Sequence, residues 1–202
     1  MKNLWFGALV LALTALPAGA GSDRDKPIKN TAQLSADEIS IYRAVLRQYE
    51  SSDPGSLHVS ARTYPLDAAS PRIGLADNEC LKGIPLENLA GLAHSFHDLT
   101  PEVLPRKNIK LVDPKQQSKI VRDNDPDKTI RDGKSVPSAV EGAFATALFS
   151  MSEIGFDKER SHAVVSHQFW CGSLCGNGAT LVFQKVDGEW KKTSRNCGGW
   201  IS

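Results

Sequence analysis

The chain has 202 residues, with 24 Lys and Arg against 23 Asp and Glu, 41% hydrophobic and 23% charged content. That balance excludes a disordered polymer, a collagen, a coiled-coil rod and a polytopic membrane protein. Near-neutral charge also argues against a nucleic-acid binder, whose surface carries an excess of Lys and Arg to meet phosphates.

The N-terminus carries a targeting pattern. Lys2 supplies a positive start, Leu4 to Leu16 form an apolar run, and Ala18-Gly19-Ala20 places small residues where a signal peptidase cuts. The run is shorter than the roughly 20 apolar residues a membrane span needs. The pattern predicts a signal peptide over 1–20, a mature start near Gly21, and no stable membrane anchor after cleavage. The expected location is periplasmic or extracellular. The first cysteine is Cys80, so no cysteine lies at the cleavage site for lipid attachment. Residues 21–34 are polar and expected to be mobile, and 35–202 are expected to form a single α+β domain.

Ser35 with Glu38 three residues on is a capping-box pattern. Ile39, Tyr42, Leu46 and Tyr49 then recur at helical spacing, which predicts a helix from about Ala36 to Glu50, ended by Ser51 to Gly55. Leu57, Val59 and Ala61 alternate with polar residues and predict a half-buried strand. Tyr64 to Asn78 reads as turns. Pro85 opens a second expected helix, with Leu86, Leu89, Ala93 and Phe96 on one face, running to about His97. Thr100 to Lys134 carries prolines and charges and reads as the least structured part, with one strand at Asn108 to Val112. Gly142 to Phe149 fits helix or strand. Strands are expected at Leu148–Phe156, His162–Trp170, Ala179–Val186 and Glu189–Thr193. Asp187-Gly188 is the dipeptide of a two-residue type I′ hairpin, which sets Val186 opposite Glu189 and Lys185 opposite Trp190. Cys171 to Gly178 reads as a glycine-rich connection. The fold class is therefore α+β, an antiparallel meander of about four strands backed by two N-terminal helices.

Four cysteines, Cys80, Cys171, Cys175 and Cys197, in an exported chain read as disulfides before zinc or catalysis. Spacing favours Cys171–Cys175 and Cys80–Cys197, while pairing of Cys80 with Cys171 or Cys175 stays open. Loop entropy assigns about 2 kcal/mol to the short bridge and about 4 to 5 kcal/mol to the long one.

Several segments carry a resemblance: Ser152 to Asp157, Ala163-Val164-Val165, Cys171-Gly172-Ser173-Leu174-Cys175-Gly176-Asn177-Gly178, Asp187 to Lys191 and Trp200-Ile201-Ser202. Together with Asp37 to Tyr42 and Arg62-Thr63, they resemble a family of exported bacterial proteins of uncharacterised function. The resemblance covers roughly half of the mature chain. It implies export and one α+β domain, and it implies no reaction. Cys80, Cys197 and the middle of the chain depart from the pattern.

No motif completes a catalytic constellation. Asp123 to Asp127 starts like a calcium loop, but Lys128 and Lys134 occupy the positions where that loop needs Gly and Glu. His94 and His97 stand one helical turn apart beside Asp98, with no third metal ligand; a packed, hydrogen-bonded histidine is the preferred reading of His97. His162 and His167 fall on opposite faces of one strand. The Cys171–Cys175 spacing fits neither a thiol protease nor a redox C-x-x-C motif, and Gly176-Asn177-Gly178 is no dinucleotide loop. No catalytic residue, cofactor or metal ligand is assigned. His162, Trp170 and Trp200 are the binding candidates.

The expected function is a non-enzymatic, disulfide-braced, exported domain that binds an unknown protein or small molecule, or supports the envelope. The alternatives are an envelope hydrolase using His94, His97 or His162 with an Asp, and a secreted inhibitor of a foreign hydrolase.

Overall fold

The structure is a computed structural model, and it describes residues 27–49, 57–66, 79–195 and 197–202. The expected signal peptide, the helix terminator at 51–55 and residues 67–78 of the turn-rich stretch Tyr64 to Asn78 lie outside the described residues.

The elements follow in chain order. β1 is Ile28–Lys29, α1 is Ala36–Arg47 and β2 is Leu57–Ser60. After a 3₁₀ turn at Glu79–Leu81 come α2 (Leu89–Leu92) and β3 (Ser95–Phe96). β4 is Ile109–Val112, followed by α3 (Pro114–Asp123), α4 (Pro126–Arg131) and α5 (Val136–Thr146). The C-terminal part holds β5 (Leu148–Met151), β6 (Gly155–Phe156), β7 (His162–Gly172), β8 (Cys175–Val186), β9 (Glu189–Lys192) and β10 (Gly199–Ile201).

α1 begins where the capping box places it. Ser35 Oγ accepts the Glu38 backbone N–H at 3.3 Å, and Glu38 Oε2 accepts that of Ser35 at 2.7 Å. Its apolar stripe buries Ile41, Tyr42, Val45 and Leu46. Of the segment expected to be mobile, Ile28–Lys29 pairs in parallel with β3.

The expected helix from Pro85 to His97 is corrected: only the single turn of α2 is helical. Leu86 instead bridges Asp157, and the Glu87 N–H donates to the Phe156 carbonyl at 2.8 Å. An extended pairing with a distant turn thus overrides a local helical pattern.

The reading of 100–134 as the least structured part holds at its one expected strand, which is β4, and is corrected after it. Asp113 Oδ1 accepts the Gln116 N–H at 2.8 Å and caps α3, with Pro114 in its first turn. Asp125 caps α4 with Pro126 behind it, and Ser135 caps α5 with Pro137 in its first turn. Each pair is a side-chain acceptor at the N-cap followed by a proline that needs no N–H there. These prolines start helices rather than mark loops. α5 turns its small residues Ala139 and Ala143 inward and leaves Val136, Val140 and Phe144 exposed.

The main sheet has the order β10-β8-β7-β5-β2-β4, with β6 also on β7 and β9 also on β8. The meander holds for β5, β7, β8 and β9, which run antiparallel in sequence. It is corrected at the other edge, where β2 lies parallel to both β4 and β5, so the sheet is mixed. The backing is corrected too, because α1 is the one long N-terminal helix among the described residues, and α3 and α5 from the middle of the chain pack on β5 and β7. One sheet face carries Val59, Ile109, Phe149, Met151, Val165, Leu181 and Phe183 and forms the larger core with α1. The other face carries Val164 and Val182, packed with Leu66, Ile84 and Cys197.

The Asp187-Gly188 turn sets Val186 opposite Glu189 and Lys185 opposite Trp190, with positive φ at both turn residues, 54° and 82°. The connection expected over Cys171–Gly178 is much tighter. β7 runs to Gly172 and β8 starts at Cys175, so the turn is Ser173-Leu174. Gly172 has φ 147°, and a Cβ there would stand 2.6 Å from Pro126 Cδ. Cys171 is the extra residue of a bulge between the pairs Trp170–Gly176 and Gly172–Cys175.

Candidate functional site

Two disulfides brace the chain. Cys80–Cys197 ties the 3₁₀ turn to the segment before β10 across 117 positions, and Cys171–Cys175 closes the β7–β8 tip; each has a Cα–Cα distance of 5.0 Å. The tip is further held by Asp125, whose Oδ2 accepts both the N–H and the Oγ–H of Ser173 at 2.6 Å. Its Oδ1 accepts the N–H groups of Asp127 and Lys128. Burial opposes ionisation of Asp125, but these donors outweigh it and lower its pKa. The acidic tract from Asp123 is therefore a helix cap and hairpin tie at Asp125.

The histidines are placed separately. His97 is buried, its Nδ1 2.7 Å from Glu153 Oε2, and its N–H donates to Glu153 Oε1 at 2.9 Å. Thr63 Oγ1 donates to the same carboxylate. Asp98, next to His97 in the chain, pairs instead with Lys29 at 2.5 Å and Arg62 at 3.3 Å. His167 is buried, stacked on Phe149, with its Nδ1 2.9 Å from the Tyr49 hydroxyl. Desolvation, with a smaller contribution from Lys192, lowers its pKa to about 4.

His162 stands with two residues that sequence reasoning missed as partners. Asp157 Oδ2 lies 3.0 Å from His162 Nδ1 and accepts the Ser161 hydroxyl at 2.7 Å. Ser161 Oγ is also 3.0 Å from the same Nδ1. Asp157 Oδ1 accepts the N–H groups of Ser161 and His162 at 2.7 and 3.0 Å. Burial opposes its ionisation, yet the donors from His162 and Ser161 prevail and hold its pKa at about 2. In a catalytic triad the imidazole bridges acid and hydroxyl through its two different nitrogens. Here both crowd one nitrogen, so the cluster locks the turn and does not activate the serine. An Asp four and five positions before Ser-His in a turn was the available signal. Among the described residues, no three His, Cys, Asp or Glu side chains are grouped to hold a metal ion.

The two candidate tryptophans are brought together. Trp170 on β7 is directly opposite Gly176 on β8, and Trp200 on β10 is opposite Gly178. A Cβ at Gly176 would lie 3.1 Å from Trp200 Cη2 and Cζ3, and one at Gly178 would lie 2.5 Å from Trp200 Nε1. The indole of Trp200 thus lies along the bare side of β8. Directly opposed residues share a sheet face, so Trp170 projects from that same face on the next strand. Its Nε1–H donates to the Gly172 carbonyl at 2.9 Å, which uses the ring's donor locally. Both tryptophans are half-buried.

Register extends this face across the sheet. Lys110 is opposite His58, His58 opposite Leu148, Leu148 opposite Trp170, and Trp170 opposite Gly176. Beside this row lie Ser150, Gln168 and Gly178, again in register. Lys110 is exposed, while His58 is half-buried, with its Nδ1 enclosed and without a hydrogen-bond partner. Desolvation and then Lys110 lower the pKa of His58. His162 shares the face by parity but stands eight positions along β7 from Trp170, past the buried Val164. The structure therefore joins Trp170 with Trp200 and leaves His162 in its own turn.

No protein-family model, curated protein or solved structure matches the chain. Among the described residues, no helix is long and apolar enough to cross a membrane. The two disulfides suit an oxidising, non-cytoplasmic compartment.

Proposed function

We propose that the chain is an exported binding domain, not an enzyme, and that it contacts its ligand through the Trp170–Trp200 end of the sheet. One observation carries this reading: Trp200 is seated over two glycines next to the strand that presents Trp170. Large aromatic side chains fixed side by side offer rigid contact area at little entropic cost. Glycines in a strand interior cost stability, and they commonly mark a close approach. Here that approach serves the placement of an indole. The imidazoles of His97 and His162 each have Nδ1 tied to a different carboxylate, which favours locking roles over a shared hydrolytic centre. Export rests on the signal pattern over 1–20 and is supported by the disulfides.

The test is a titration of the oxidised, exported protein with saccharides, peptides and small aromatic compounds, followed by tryptophan fluorescence. Wild type is compared with Trp170→Ala and Trp200→Ala, each checked for fold and intact disulfides. Both variants are expected to lose the ligand by about tenfold or more, as for an aromatic anchor. A ligand held equally by all three proteins, or a turnover reaction that survives both changes, refutes the reading. Intact mass of the exported protein is expected to begin near Gly21 with no free thiols.

A further inference from the structure

We propose that β10 is a dimerisation strand: two copies of the chain pair antiparallel along Gly199–Ile201 and join their main sheets edge to edge. The pairing is independent of any ligand at the tryptophans.

A strand at a sheet edge presents unpaired N–H and C=O groups, and native proteins blunt such an edge with charge or cover it. Among the described residues, the other edge strands of the main sheet are protected in these ways. β4 carries Lys110, and β9 carries Lys191 and Lys192, all exposed. β6 is covered by the Leu86–Asp157 bridge and by the Glu87 N–H, which donates to the Phe156 carbonyl. β10 has neither device. Gly199, Trp200 and Ile201 carry no charge, Gly199 is exposed, and Ile201 is 89% exposed.

The ladder to β8 fixes which backbone groups are spare. The Thr180 N–H donates to the Gly198 carbonyl at 3.3 Å, and the Ser202 N–H donates to the Gly176 carbonyl at 2.9 Å. The alternate residues 198, 200 and 202 therefore turn their backbone groups toward β8, and the N–H and C=O of Gly199 and Ile201 point outward. Among the described residues, these outward groups have no backbone partner.

β10 is its own complement. With a two-fold axis at Trp200, Gly199 of each copy faces Ile201 of the other. Each facing couple exchanges two N–H···O=C bonds, so the outward groups of both copies are satisfied together. Ile201 then lies opposite a glycine, which leaves room for its side chain. The Trp200 indole lies over Gly176 and Gly178 of its own β8 and so leans away from the shared edge. No charge meets its like along β10, whereas self-pairing of β4 brings two copies of Lys110 together. A two-fold contact of this kind is closed and gives dimers, not fibres. With three residues a side, the dimer is weak and forms at concentrations on the order of 100 µM.

The experiment is sedimentation equilibrium of the oxidised, exported protein from about 1 µM to about 1 mM, a range that brackets such an affinity. The weight-average mass is expected to rise toward twice that of the monomer. Amide exchange at Gly199 and Ile201, followed by NMR, is expected to slow over the same range. Ile201→Pro removes the outward N–H at an edge position where a strand tolerates proline. Ile201→Lys keeps every backbone group and adds the charge that blunts β4 and β9. Each is expected to weaken association by about tenfold or more, with circular dichroism and urea midpoint unchanged. A chain that stays monomeric throughout, or a dimer that both variants leave intact, overturns the proposal. A monomer whose Gly199 and Ile201 amides are protected only by an added extended peptide overturns the second copy as the occupant of this edge.

Discussion

Trp200 and Gly178 are in such close register that a single methyl group at position 178 has no room. A Cβ there would stand 2.5 Å from the indole Nε1 and 2.8 Å from the backbone carbonyl of His167. The second contact is with backbone and does not rotate away. Gly178→Ala is expected to destabilise the protein by about 1–3 kcal/mol, as overpacking does. Trp200 is also expected to move toward solvent and red-shift its emission. Gly142 is the control. It lies in α5 with nothing within 4 Å of a built Cβ, so Gly142→Ala should stabilise by up to about 1 kcal/mol. Urea denaturation checks both signs, and a neutral Gly178→Ala with unchanged emission contradicts the packing of Trp200.

Glu153 gathers three donors inside the protein: the Thr63 hydroxyl, the His97 N–H and the His97 imidazole. Removing the carboxylate strands all three in a buried place. Glu153→Ala is expected to cost about 3–5 kcal/mol, the scale of breaking a buried, hydrogen-bonded pair. Glu153→Gln keeps one acceptor oxygen and should cost less. A loss under about 1 kcal/mol for Glu153→Ala would contradict this lock.

His167 makes stability fall on mild acidification. Its folded pKa of about 4 lies below the ordinary histidine value of 6.5, because burial disfavours the imidazolium. Between those values the unfolded chain binds the extra proton, so stability is full above pH 6.5 and declines as pH falls toward 4. The loss is on the order of 2–3 kcal/mol. His167→Gln removes the titration and should flatten the slope of stability against pH in that window. An unchanged slope would show that His167 does not carry it.

Asp157 acts in the next window down. Its folded pKa of about 2 lies below the ordinary carboxylate value of 3.8, because, against the opposing effect of burial, His162 and Ser161 donate to the ionised form. Its contribution is complete above pH 4 and is lost as pH falls from about 4 through about 2. Asp157→Asn should lower stability at neutral pH by about 1–2 kcal/mol, since donors to an ionised acceptor lose strength. It should also reduce the acid slope below pH 4. Denaturant midpoints at stepped pH separate this effect from that of His167.

Much of the fold was legible because local chemistry specifies it. Ser35 and Glu38 start α1 by mutual hydrogen bonds that involve only neighbours, and Asp187-Gly188 sets a hairpin register through its own backbone preference. The strand alternation around His162 and His167 put them on opposite faces for the same reason. The helices α3 to α5 were equally local in origin. In α3 and α4 the signal, a capping Asp with a proline in the first turn, reads as loop because proline is both a breaker and an N1 residue, while the C-terminal end of α5 lies in the stretch from Gly142 that fits helix or strand.

Sequence by itself determined the capped first helix, the antiparallel C-terminal strands and the residues able to form two disulfides, since each depends on short-range periodicity or composition. Tertiary structure alone decided the rest. It placed β2 between β4 and β5 as a parallel strand, drew Leu86 out of a helical pattern onto Asp157, and assigned His97 to Glu153. It also laid Trp200 across Gly176 and Gly178, which look like turn glycines in the sequence and serve as a bare strip of strand. Such pairings join residues tens of positions apart, and which distant segment buries a given side chain is settled only when the whole chain packs.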